Sequence, residues 1–177
     1  MRRLAALLLA AAALVGAPRG AAAGAGEQAL SGGLGIGTWS RPGEKEDETI
    51  GPDAGAVAQV VYERAFSEAL SWRVEAAGAI YTGGGTSWGA TAAAGLVYRF
   101  DVLKYVPYAV LELGGTALGG GPLDAAVVEP TLQIGGGLDV LRSRDASWGI
   151  EARLAGFAGD STVMTLGVRV TRRWGYF

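Results

Sequence analysis

Eleven ionisable side chains recur at positions that a folded chain can gather into one place. Glu63, Glu75, Glu112, Glu129, Asp139 and Glu151 supply carboxylates, and Arg73, Arg99, Arg153, Arg169 and Arg173 supply guanidinium groups. Two chemistries are open to such a set. A carboxylate pair such as Glu129 with Glu151 could divide acid and base roles. Alternatively, acids and arginines could neutralise each other in a structural network, because a buried charge is costly unless it is paired. Interleaving carboxylates with arginines favours the network.

What is missing narrows the choice further. The 177 residues include no Cys and no His. Thiol nucleophiles, disulfides, Cys/His zinc sites and every mechanism that needs an imidazole base are therefore excluded. Glu44, Glu46, Asp47, Glu48 and Asp53 make an acidic run, but their spacing matches no calcium loop and reads as a solvated surface segment. The glycine-rich piece Gly32-Gly33-Leu34-Gly35-Ile36-Gly37 lacks the full spacing of a nucleotide loop with a following helix, and reads as strand. No cofactor and no metal site is expected.

The elements that would hold these charges are strands. From about residue 30 the sequence alternates residue by residue, the period of a strand. Eight runs are expected, near 30–39, 54–64, 70–82, 88–100, 106–118, 127–140, 147–158 and 162–176. Each is about as long as a tilted membrane strand. The two faces differ sharply. Trp72, Val74, Ala76 and Ile80 oppose Arg73 and Glu75; Leu132, Ile134 and Leu138 oppose Glu129, Gln133 and Asp139; Leu166, Val168 and Val170 oppose Arg169 and Arg173.

Such a dyad fits either a soluble barrel that is greasy inside or a membrane barrel that is greasy outside. Three features favour the membrane. Trp39, Trp72, Trp88, Tyr98, Phe100, Trp148, Trp174 and Tyr176 fall near strand ends, where interfacial girdles lie. The polar face balances acids against arginines, and Lys45 and Lys104 are the only lysines. Finally, the connections at 65–69, 101–105 and 141–145 are short and charged, as periplasmic turns are. The opposite connections are 40–53, 83–87, 119–124 and 159–161, of which only the first is long.

The N-terminus reads as an export signal. Met1-Arg2-Arg3 precedes an apolar core from Leu4 to Val15, too short to span a bilayer, and Ala21-Ala22-Ala23 offers a cleavage site. Residues 1–23 are thus expected to be a signal peptide and 24–177 a single barrel domain. Removing Arg2, Arg3 and Arg19 leaves twelve basic against seventeen acidic residues, a net charge of −5. A basic nucleic-acid-binding footprint is absent.

Over essentially all of 24–177 the chain resembles the small outer-membrane β-barrels of the OmpA/OmpX type. The resemblance rests on the strand pattern, on Val106-Pro107-Tyr108-Ala109-Val110-Leu111-Glu112-Leu113-Gly114, on Gly135-Gly136-Gly137-Leu138-Asp139 and on the aromatic end Trp174-Gly175-Tyr176-Phe177. It implies an all-β, eight-stranded antiparallel up-and-down transmembrane barrel. It also implies a cell outer-membrane location, contact with outer-membrane lipids and a monomeric state. Phe177 is similar to the terminal residue read by the outer-membrane barrel-assembly machinery. The enzymes known among such barrels need a histidine. The expected function is therefore a non-enzymatic barrel with a side-chain-filled polar lumen and a structural or surface-interaction role. The alternatives are a soluble lipocalin-like barrel binding a small apolar ligand, or a narrow pore. One departure from the pattern is an alanine-rich outer face at Ala56, Ala58, Ala76, Ala90, Ala92 and Ala94.

Overall fold

The computed structural model describes residues 25–43, 49–100, 104–156 and 160–175. The expected signal peptide, most of the acidic run (Glu44 to Glu48), Tyr176 and Phe177 lie outside the described residues.

Eight strands form: β1 (Gln28–Pro42), β2 (Thr49–Ala65), β3 (Leu70–Thr82), β4 (Thr86–Arg99), β5 (Tyr105–Gly120), β6 (Val127–Leu141), β7 (Ala146–Gly156) and β8 (Thr162–Trp174). Each pairs antiparallel with its sequence neighbour, and β1 pairs with β8 to close the barrel. Closure leaves no unpaired sheet edge, the condition for a sheet to cross hydrocarbon.

Alternation decides which face turns inward. Along β8, Met164, Leu166, Val168 and Val170 are exposed, whereas Arg169, Thr171 and Arg173 are buried. Leu34 is 68% exposed and Val128 77%, values no soluble barrel would give to side chains that fill its core. The lipocalin-like alternative required these residues inside and is rejected. An apolar band turned outward around an ionic centre is a transmembrane barrel.

One expected boundary needs correction. The connection read as residues 40–53 is largely strand: β1 runs to Pro42 and β2 starts at Thr49, with Arg41 opposite Ile50 and a register shift after Trp39. The pairing of β2 with β3 begins only at Ala54. Residues 49–52 therefore extend β2 past its pairing with β3 as a two-stranded ribbon with β1, with Ile50 turned against the interior, while Asp53 is buried at the rim and accepts the Gly84 N–H. The free flank of that ribbon accommodates Pro52, whose missing N–H would break a central ladder. Pro42, Gly51 and Pro52 read as loop punctuation because their sequence carries no sign of being at an edge.

The interior is layered. Toward the short-turn end, which carries the described ends of β1 and β8, it holds ionic side chains. Toward the opposite end it holds a cluster of Trp39, Tyr81, Leu118, Ala155 and Val163, with Ile50 and Leu123 against it. The expected topology places the short turns in the periplasm and the apolar cluster toward the cell exterior.

Candidate functional site

Inward residues of seven strands build the ionic layer. Five carboxylates (Glu63, Glu75, Glu112, Asp139 and Glu151) are buried with Arg73, Arg153, Arg169 and Arg173, while Arg99 is partly buried. Five negative charges meet five positive ones, so the layer is neutral as a whole, which is what burial demands.

Glu151 is its hub. Arg73 grips it bidentately, donating from Nη1 at 2.8 Å and from Nη2 at 2.9 Å. The Tyr108 hydroxyl donates to the same carboxylate at 2.8 Å, and Arg169 and Arg153 approach at 3.3 and 3.1 Å. The planar guanidinium fork suits this geometry, as an ammonium would not.

Arg169 forms the second centre. Its Nε and Nη2 donate to Asp139 at 3.0 and 2.9 Å, Nη1 reaches Glu63 at 3.2 Å, and its guanidinium lies 4.2 Å from the Tyr108 ring centroid. Arg173 adds a donor to Asp139 at 2.9 Å and one to Ser147 at 2.8 Å. Arg99 donates to Glu63 and, at 2.8 Å, to Ser71. Arg153 contacts Glu75 and Gln59. Glu112 faces Arg73 Nε at 3.3 Å and accepts no hydrogen bond.

Two glycines make space for this packing. Tyr108 lies opposite Gly137, where an added Cβ would run into the tyrosine hydroxyl and the Ile150 carbonyl. At Gly149 a Cβ would meet the Asp139 carboxylate. Close approach of a side chain to the barrel wall is what these positions require.

Between the ionic layer and the apolar cluster lies a cavity of about 30 Å³, lined in part by Glu75, Thr91, Thr116, Gln133, Arg153 and Thr165. It has room for about two waters. Thr91, Thr116 and Thr131 form a hydroxyl ladder beside it, at 3.1 and 3.4 Å. The cavity ends at the apolar cluster, where Trp39 donates from its indole N–H to Ser87 Oγ at 3.0 Å and packs edge-on against Tyr81.

Two expected assignments need correction. Trp39 is no girdle residue, because it is 0% exposed. Leu30, Leu34 and Ile36 face outward on even positions, so odd Trp39 must face inward, a parity legible in the sequence. Glu129 stands apart from the central network. It meets Arg41 at 3.6 Å and accepts the Ser161 backbone N–H at 2.9 Å, both at the far rim.

The other girdle candidates with described side chains do face outward. Trp72, Tyr98, Phe100, Trp148 and Trp174 gather at the short-turn end, joined by Phe66 and Tyr105, which sequence reading left out, and only Trp88 marks the opposite end. Among the described residues the belt is one-sided because Trp39 and Tyr81, near the other rim, turn inward. Sequence reading also missed Tyr108, Gln59 and Arg41, although Tyr108 shares the inward parity of Glu112.

No family model matches the chain, and no curated protein matches it in sequence. Solved structures do. Neisserial surface protein A (NspA) superposes with a TM-score of 0.64 at 13% identity, over 84% of this chain and 99% of that one. OprG of Pseudomonas aeruginosa gives 0.61 at 9%, over 87% and 98%. Ail, the attachment invasion locus protein of Yersinia pestis, gives 0.54 at 17%, over 85% and 99%. The outer-membrane enzyme PagL also shares the architecture, at 0.51 and 16% over 81% and 98%. At these identities the likeness speaks for architecture, and it agrees with the outward apolar band: the fold is that of the small outer-membrane β-barrels.

Proposed function

We propose that the chain is a non-enzymatic integral protein of the outer membrane. In this reading it works as a closed, monomeric structural barrel that meets the exterior through the β1–β2 hairpin. The observation that carries the reading is the lumen. Ten charged side chains neutralise one another across it, and a separate apolar cluster blocks it again. An eight-stranded barrel is just wide enough for side chains to fill, and here they fill it with groups already engaged with each other.

PagL shows that the architecture can carry an enzyme. Against that role here stands the absence of any imidazole or thiol, together with the engagement of Glu151 by arginines and Tyr108. In the proposed pathway the chain is exported on residues 1–23, and its aromatic end, Trp174 to Phe177, is read by the outer-membrane barrel-assembly machinery.

The test is refolding of residues 24–177 into lipid vesicles, followed by gel mobility before and after boiling and by planar-bilayer recording. The expected result is a heat-shifted band and no stable conductance. Reproducible channel steps that vanish in Arg73→Gln would replace the closed barrel with a pore.

A further inference from the structure

The strands end in an uneven distribution of charge. At the far rim Asp53, Asp124, Glu129 and Asp160 face a single described cation, Arg41. At the short-turn end cations prevail: Arg64, Lys104, Arg142, Arg144 and Arg172 stand against Glu27, Glu68 and Asp145 among the described residues.

Two of these arginines are oddly placed. Arg64 and Arg172 occupy outward positions of β2 and β8, continuing the lipid-facing series Ala58-Val60-Tyr62 and Leu166-Val168-Val170 by one more step. Neither has an ion-pair partner among the described residues, in a molecule where every lumen arginine has at least one. They flank β1 on its two sides. Arg64 pairs with Gln28 and Arg172 with Leu30, which sets their Cα atoms about 12 Å apart from strand spacing and rise.

Aromatic rings frame the pair. Trp72 lies opposite Arg64 and packs at a tilt against Tyr62, with ring centroids 5.2 Å apart, and the Tyr62 hydroxyl donates to Gln28 at 2.8 Å. Trp174 also pairs with Gln28, and exposed Leu30 lies between the two arginines. Across β8, Arg172 pairs with Ala146, where the turn carrying Arg142 rejoins the sheet.

We propose that this arc across β2, β1 and β8 is a binding site for the headgroups of anionic phospholipids in the leaflet at the short-turn end. The inference rests on the membrane-barrel reading and adds a lipid class to it. A guanidinium at the end of a lipid-facing strand lies at headgroup depth, where its stem covers apolar surface and its fork meets a phosphodiester. Trp72 and Trp174 fix that depth at the acyl boundary. Leu30 supplies the apolar floor for the acyl chain below the phosphate. A zwitterionic headgroup offers the same phosphate but carries its own ammonium, which competes for it, so the site selects net negative lipid.

The test uses residues 24–177 refolded in phosphatidylcholine vesicles doped with either brominated phosphatidylglycerol or brominated phosphatidylcholine. The readout, taken in a Trp88→Phe background because Trp88 faces lipid at the opposite rim, is quenching of tryptophan emission, which then reports lipid beside Trp72, Trp148 and Trp174. The expected result is stronger quenching by the anionic lipid, falling about fivefold in relative association for each arginine removed, as with Arg64→Gln and Arg172→Gln. Arg41→Gln, which removes the same charge at the opposite rim, leaves the preference unchanged. Equal quenching by the two lipids, or an unaltered preference in the double variant, overturns the site. Should the double variant give no heat-shifted band, Arg172→Gln alone decides by the same criterion. A native chain quenched by neither lipid and showing no heat shift would refute the membrane barrel itself.

Discussion

Glu151 and Tyr108 show how much of the interior depends on single groups. Replacing Glu151 with Leu leaves Arg73, Arg153 and Arg169 crowded with too few acids, and breaking a buried pair from one side costs about 3–5 kcal/mol. Tyr108→Phe removes one charge-assisted hydrogen bond and keeps the ring under Arg169, a loss of about 1.5–3 kcal/mol. Urea unfolding of the two variants in lipid vesicles is expected to rank them in that order, and equal midpoints would mean that Glu151 is no hub. Those charges were legible as lumen residues because parity assigns a face. Their partners were not, since alternation says which way a side chain points and nothing about height along the barrel axis. Glu129 shares the lumen parity of Asp139 ten residues on, yet the register lifts it to Arg41 at the rim.

At the level of strands, the alanine-rich wall is a weak point in the lipid contact. Ala92 in β4 is exposed on the outer face between Ala90 and Ala94, and alanine contributes little area to burial in acyl chains. Ala92→Leu is expected to stabilise the refolded barrel by about 1–2 kcal/mol from the added apolar surface. Leu166→Arg in β8 is expected to destabilise it by about 2–4 kcal/mol. Both are read as shifts in the urea midpoint in vesicles, and a neutral Leu166→Arg would place that face in water. All eight strands were visible in the sequence because turn residues and alternation agree along most of the chain. The ribbon formed by Arg41, Pro42, Thr49 and Ile50 was not visible, because beyond the lipid no burial contrast remains to mark a strand. The one-sided aromatic belt escaped for a related reason: Trp39 sits at a strand end like any girdle residue, and only its parity with Leu34 and Ile36 separates it from them.

As a whole molecule, the barrel closes twice, with unlike chemistry. Trp39→Ala combined with Tyr81→Ala removes the bulk of the apolar cluster and leaves the ionic layer untouched. Planar-bilayer recording of that double variant is expected to show no conductance, and channel steps from it would mean that the ionic layer alone does not seal. The two barriers stop different travellers. In the closed-barrel reading proposed above, a hydrated ion would be halted at the greasy stopper because it would have to shed its water, while an apolar solute would be halted where the fixed charges hold their own contacts. Random mutation at one barrier is therefore masked by the other. Leakiness in this protein should require two coincident lesions, and surveys of single substitutions would find cells whose envelopes stay tight even where the barrel has lost stability.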